Sequence, residues 1–139
     1  KENSFSEELR RTSEGYAVYF KGTFPSSQIR EVLNNIDFLV IPSTWYENSP
    51  LVLLNSLASH TPVIVSDVEG MTEFVEEGRN GFVFKMGSVD ELEKVLRRVT
   101  DNPEKSRAMF KTTEYPRTNE MMVKDILLVY ESVMSKGKC

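Results

Sequence analysis

The sequence predicts an α/β sandwich: a mostly parallel, Rossmann-like sheet with helices on its faces. Three observations predict it. Short apolar runs recur at residues 16–22, 38–43, 62–67 and 82–84, each of strand length. Between them lie stretches whose apolar residues repeat at helical spacing. The run at 38–43, Phe-Leu-Val-Ile-Pro-Ser, is continuously apolar rather than alternating, as in a parallel strand covered on both faces. At 139 residues the chain has the length of one domain.

The elements follow in order. Phe5 and Leu9 share one face of a short first helix, which Gly15 ends. Residues 16–22 are aromatic and β-branched, a strand pattern. Ser26 or Ser27 caps a helix carrying Ile29, Val32, Leu33 and Ile36. After the strand at 38–43, Pro50 suits the first helical position, where its missing N–H would go unused, and Ser49 is then the cap. Leu51, Leu54, Leu57 and Ala58 make that helix's expected buried stripe, and Thr61-Pro62 ends it. A strand over 62–67 leads to a short helix over 72–77 that stops at Gly78, and Asn80-Gly81 turns into the strand at 82–84. Ser88-Val-Asp-Glu91 has capping-box spacing for a helix with Leu92, Val95, Leu96 and Val99. Asn102-Pro103 opens another helix, and a last long one carries Met121, Met122, Ile126, Val129, Tyr130 and Val133. Residues 135–139 are expected to be a frayed, disordered tail.

Composition narrows the function. Hydrophobic residues at 40% and charged residues at 27% are an ordinary globular balance. Net charge is −4, from 17 basic and 21 acidic residues, with no basic block, which argues against a nucleic-acid surface. No apolar run approaches the ~20 residues that span a bilayer. The single cysteine, Cys139, and single histidine, His60, exclude an internal disulfide, a thiolate cluster and a His-pair metal site within this sequence. These absences read as a reducing, cytosolic setting, and no metal or cofactor is expected.

In sheets of this type ligands sit beyond the carboxyl ends of the strands. Polar residues reach that side at Lys21-Gly22-Thr23, Pro42-Ser43-Thr44 and Ser66-Asp67. Glu47 lies between Ser43 and the next helix, whose first turn offers the backbone N–H groups of Ser49, Leu51 and Val52. A helix N-terminus attracts anions, and a carboxylate accepts hydrogen bonds from hydroxyls. The pair suits a sugar phosphate. On local features alone, Glu47 reads equally well as a solvated loop acid and Ser49 as a routine cap.

The stretch from about Tyr16 to Tyr130 resembles the nucleotide-binding half of family 4 retaining glycosyltransferases of the GT-B fold. The resemblance rests on Asp37-Phe-Leu-Val-Ile-Pro-Ser43, on Glu47-Asn-Ser-Pro-Leu-Val-Leu-Leu-Asn55, on Leu57-Ala-Ser-His-Thr-Pro-Val-Ile-Val-Ser-Asp67, and on the landmarks Glu69-Gly-Met-Thr-Glu-Phe-Val75 and Glu77-Gly-Arg-Asn-Gly-Phe-Val83. It implies that residues 1–139 are a partial donor-binding domain. Glu47 takes the place of the family's first glutamate, at the donor sugar's hydroxyls, and is the implied catalytic residue. Ser43 and Asn48 are implied donor-binding residues, and the N–H groups of Ser49, Leu51 and Val52 lie where the helix end meets the diphosphate. Asn55 stands where a second glutamate usually holds the ribose; it keeps hydrogen-bonding capacity and loses a charge-assisted bond. Thr23 and Phe24 fall near the base, although Phe24 reads equally as core. Glu69 replaces the first glycine of a Gly-Gly turn, which implies a more rigid and more acidic loop. His60 replaces a glycine after the helix and reads as a C-terminal cap. Trp45 and Tyr46 either shape the sugar pocket or wedge the loop, and Glu73 is a favourable acid at a helix start.

The family's domain opens with two strands upstream of residue 16, and the turn after the first carries an Arg and a Lys that clamp the diphosphate. Residues 1–15 cannot hold them, so a partial GT-B C-terminal domain lacking its first two strands is expected. The N-terminal acceptor domain, with the histidine many members place at the reaction centre, is likewise expected to be missing. In the parental 3-2-1-4-5-6 order the missing pair lies between 16–22 and 38–43. Either the chain is a fragment, the favoured reading, or those two segments pair directly.

The implied activity moves a sugar from a nucleotide-diphosphate sugar to a hydroxyl of a glycan or lipid, with retention, as in polysaccharide biosynthesis. The acceptor would come through the missing domain, and the full-length protein would sit in the cytoplasm or on the inner face of a membrane. The alternatives are a non-catalytic, degenerate interaction module and, further off, a sugar-nucleotide epimerase on the same fold.

Overall fold

A computed structural model describes residues 4–48, 50–115 and 117–136, the side chain of Lys136 excepted. Its centre is a parallel sheet of β1 (Leu39–Ile41), β2 (Val63–Ser66) and β3 (Gly81–Phe84) in that spatial order. Leu39 faces Val63 and Ile41 faces Val65; Val63 faces Gly81 and Ser66 faces Phe84. The helices are α1 (Ser4–Thr12), α2 (Ile29–Asn34), α3 (Leu51–Ala58), α4 (Val89–Asp101), α5 (Pro103–Thr112) and α6 (Asn119–Lys136). None is long and apolar enough to cross a membrane.

The central strand explains the layering. All four β2 residues are buried, and alternate side chains point to opposite faces. Val63 and Val65 meet Leu53 and Leu57 of α3, with Val68 and Met71, in one core cluster. Ile64 points the other way, into a cluster with Phe82, Phe84, Val99 of α4 and Met109 of α5. The continuous apolar reading of these strands thus corresponds to a sheet sandwiched between helices.

Several caps follow the sequence. The Ser88 hydroxyl accepts from the Glu91 N–H at 3.3 Å and starts α4. Pro103 occupies the first turn of α5. His60 is the C-terminal cap in backbone terms: it sits at φ 61°, its N–H donates to Leu57 O, and the Thr61 N–H donates to Ser56 O. These are the paired bonds of a Schellman ending. The ring adds a tether, Nδ1–H to the Thr113 carbonyl at 2.7 Å, joining the end of α3 to the end of α5.

Several expectations need correction. Residues 16–22 form no strand; they run as exposed, irregular chain, because no neighbouring strand completes their hydrogen bonds. Direct pairing with β1 does not occur among the described residues, since β1 pairs with β2 alone. The helix over 72–77 shrinks to a 3-10 turn at Thr72–Phe74. The Asn80 side chain accepts from Glu76 N–H and donates to Phe74 O, occupying groups a longer helix would use, so Glu73 has no α-helix start beside it. Helix α3 begins one residue later than expected: Pro50, at ψ 115°, is the N-cap rather than the first helical residue. Its buried stripe is Leu53, Ser56 and Leu57, with Leu54 half-buried, while Leu51 and Ala58 are exposed. The face toward β2 decides burial, and Leu51 and Ala58 lie on the flank toward α6. The expected tail begins inside a helix, since Ser135 and Lys136 close α6, and 137–139 lie outside the described residues.

Candidate donor site

Parallel pairing brings the carboxyl ends of β1 and β2 to the same side of the sheet. Beyond β1 the chain passes Pro42 and turns at Ser43. The Ser43 Oγ accepts from the Trp45 N–H at 3.2 Å, and its own proton can go to the Trp45 carbonyl at 3.1 Å or to Glu47 Oε1 at 3.4 Å. This serine turn folds the loop back so that the half-buried Glu47 carboxylate stands over the strand end. At the last position of β2, the buried Ser66 hydroxyl donates to the Ser43 carbonyl at 2.5 Å.

Helix α3 starts just past this loop. Leu53 and Leu54 N–H groups donate to Pro50 O at 2.9 and 3.3 Å, so Leu51 and Val52 precede the helical ladder and their N–H groups face out along the axis. Pro50 supplies no side-chain cap. The loop carrying the Glu47 carboxylate thus leads toward a helix N-terminus without a side-chain cap.

The remaining expected donor residues are spread out. Ser49 lies outside the described residues. Asn48 is exposed in the loop after Glu47. Asn55 is half-buried and lines an open groove of 560 Å³ with Leu51, Leu54 and Ala58 of α3, facing Arg117 and Met122 at the start of α6. Phe24 lines a different groove, of 480 Å³, against Gln28, Val32 and Ile36, and Thr23 is exposed beside it. Trp45 and Tyr46 are exposed, at 78% and 75%. The structure therefore brings Ser43 and Glu47 together in the loop before α3, pairs Leu51 with Asn55 along the helix, and sets Phe24 against Gln28, Val32 and Ile36.

Gly70 escaped the sequence reading as a site residue. It has φ +84°, and a side chain there would overlap the Glu47 carbonyl oxygen and lie 2.6 Å from its carbon. Its signal, a glycine a few residues past a strand end, is common to many turns. Asp67 also acts structurally: its Oδ1 accepts from the Met86 N–H at 2.5 Å, and its own N–H donates to Phe84 O at 2.8 Å.

The architecture has close counterparts. The sucrose-phosphate synthase of Thermosynechococcus elongatus superposes with a TM-score of 0.79 at 20% identity, over 96% of this chain and 34% of that one. Anabaena HepE, solved with UDP-glucose, gives 0.68 at 22% identity, over 79% and 30%. Among curated proteins, the Escherichia coli UDP-Gal:alpha-D-GlcNAc-diphosphoundecaprenol alpha-1,3-galactosyltransferase is 33% identical over 76 residues, which are 55% of this chain and 19% of that protein. Fold and relatives together define the class as GT-B glycosyltransferase, of whose C-terminal domain this chain carries a part. The family model described as Glycosyl transferases group 1 matches residues 2–115, and the chain belongs to that family. The match spans about a fifth of the length of the curated relatives.

Proposed function

We propose that this chain supplies part of the donor site of an enzyme moving a sugar from a nucleotide-diphosphate sugar to a hydroxyl of a glycan or lipid, with retention of configuration. The observation that carries the reading is the Glu47 carboxylate, bonded by Ser43 in the loop that precedes the uncapped N-terminus of α3. Glu47 accepts hydrogen bonds from sugar hydroxyls. The N–H groups of Leu51 and Val52 take the diphosphate, whose charge grows as the bond from the anomeric carbon to the phosphate oxygen breaks. No metal is required for that stabilisation. Asn55 hydrogen-bonds the ribose, and the acceptor is held by the rest of the full-length protein. HepE bound to UDP-glucose and the galactosyltransferase relative support a nucleotide sugar as ligand. The enzyme works in the cytoplasm, with or without peripheral attachment to a membrane.

Calorimetric titration of the full-length protein with a panel of UDP-, ADP- and GDP-sugars tests this. One of them binds, and Glu47→Ala weakens it about 10- to 100-fold, the worth of hydrogen bonds to a charged group. No binding across the panel, or binding indifferent to Glu47→Ala, sinks the proposal.

A second reading, a degenerate module without catalysis, is favoured by one observation: Asn55 lines the groove beside α6, and Glu47 does not line it. Asn55→Glu separates the two. A gain of about tenfold or more in donor affinity, as from restoring a charge-assisted bond, indicates a decayed site; no gain indicates that asparagine belongs to a working one.

A further inference from the structure

We infer that the turn after β2, residues 66–70, is the positioning element for Glu47; this rests on the donor-site reading above. The loop carrying Glu47 is largely solvent-facing, with Trp45 and Tyr46 exposed, so its own packing fixes little. Two contacts from the β2 side fix it. The fully buried Ser66 hydroxyl donates to the Ser43 carbonyl at 2.5 Å, and the Ser43 hydroxyl is the group 3.4 Å from Glu47 Oε1. At the other end, Gly70 lies flush on the Glu47 main chain: a Cβ there would overlap the carbonyl oxygen, lie 2.6 Å from the carbonyl carbon and 3.5 Å from the Asn48 nitrogen. One turn thus holds the carboxylate through Ser43 and the backbone through Gly70.

The turn is rigid enough for this role. Asp67 is tied to β3 by its N–H on Phe84 O at 2.8 Å and to the following loop by the Met86 N–H on its carboxylate at 2.5 Å. Val68 and Met71 are buried in the core against Leu53 and Leu57. Gly70 also differs from the other positive-φ glycines. Gly15, Gly22, Gly78 and Gly87 have nothing within 4 Å of a built Cβ, so their demand is conformational only, whereas Gly70 makes a backbone contact. A side chain at 70 must push Glu47 away, and a shift of about 1 Å at a positioned group costs on the order of a hundredfold in rate.

The test uses the full-length protein and the nucleotide sugar selected from the panel above. Gly70→Ala, Ser66→Ala and the strain control Gly78→Ala are each made with Glu47 and with Glu47→Gln, after thermal melting confirms folding, and donor Kd, kcat and KM are measured. Gly70→Ala is expected to lower kcat/KM about 10- to 100-fold and Ser66→Ala about tenfold, with Gly78→Ala within about threefold of wild type. In the Glu47→Gln background the first two penalties shrink to about threefold or less, because groups acting through one residue are not additive. Penalties that persist undiminished there, or that never arise although Glu47→Gln itself is damaging, overturn the inference alone. Glu47→Gln without effect, or no binding across the panel, overturns the donor site and the inference together. Should Gly70→Ala not fold, Ser66→Ala and amide exchange in the wild type decide. Nucleoside diphosphate binding is expected to slow residues 46–48 and 66–71 together, and slowing of 46–48 alone overturns the positioning role.

Discussion

At the scale of single residues, His60 shows a side chain doing two jobs at a helix end. Its φ of 61° is unfavourable for any residue with a Cβ, by about 1–2 kcal/mol, while its ring bonds the Thr113 carbonyl at 2.7 Å, worth about 1 kcal/mol. His60→Ala is expected to keep the strain and lose the bond, destabilising by about 1 kcal/mol in urea titration. His60→Gly trades one for the other and is expected to stay within about 0.5 kcal/mol of wild type. The capping role was legible from the resemblance, which puts a glycine after the helix at this position; the tether to Thr113 was not, since it spans 53 residues. The Ser88 cap was legible, because a cap is local chemistry, but the reciprocal half of the capping box does not form: Ser88 N–H donates to Lys85 O and the Glu91 carboxylate pairs with Lys94. Ser88→Ala should cost about 1 kcal/mol by the same measurement. Glu120 has its carboxyl held below the usual range, chiefly by the Thr118 hydroxyl and then by its own backbone N–H. Its contribution to α6 is therefore present above the ordinary carboxylate pKa and disappears as pH falls through the lowered value. An NMR titration of Glu120 with an unshifted midpoint would contradict this.

At the scale of elements, periodicity located α3 but not its buried face. Leu51, Leu54, Leu57 and Ala58 make as good a stripe on paper as Leu53 and Leu57 with Ser56 between them. Packing chose the latter, because β2 presents Val63 and Val65 on that side. Leu53→Ala, at a fully buried position, should destabilise by about 2–5 kcal/mol, and Leu51→Ala, at 75% exposure, by less than about 0.5 kcal/mol. Equal losses in chemical denaturation would show that the face is wrongly assigned. Residues 16–22 teach the complementary lesson. Their aromatic and β-branched pattern is strand-like, yet a strand is a property of a pair, and among the described residues no strand lies beside them. The turn at Thr72–Phe74 fell short of a helix for a third reason: one asparagine, Asn80, satisfied the backbone first.

At the scale of the whole molecule, the exposed area is the telling quantity. The chain presents 10947 Å² to solvent, whereas a compact monomer of its 15.9 kDa presents about 7,400 Å². Apolar exposure is concentrated at the free edge of β1, in the irregular chain at 16–24, and along α6, where Ile126, Leu127, Tyr130 and Val133 are all 45–64% exposed. Unpaired edges and apolar patches of this extent promote association. Residues 1–139 expressed alone should therefore self-associate at micromolar concentration and bind a hydrophobic dye. Sedimentation as a dye-silent monomer would refute this.

The sequence by itself determined the family, the strands that pair with each other, the caps of α4 and α5, and Glu47 as the acid at the helix start. All of these rest on local pattern or ordered landmarks. Tertiary structure alone decided which flank of α3 is buried, that residues 16–22 stay unpaired, and that Asn55 and Phe24 line grooves apart from Glu47. It also decided that the Ser66 hydroxyl meets the Ser43 carbonyl and that Gly70 abuts the Glu47 main chain. Those outcomes depend on contacts between segments remote in sequence, where a side chain's role is set by what stands opposite it, and no local pattern carries that information.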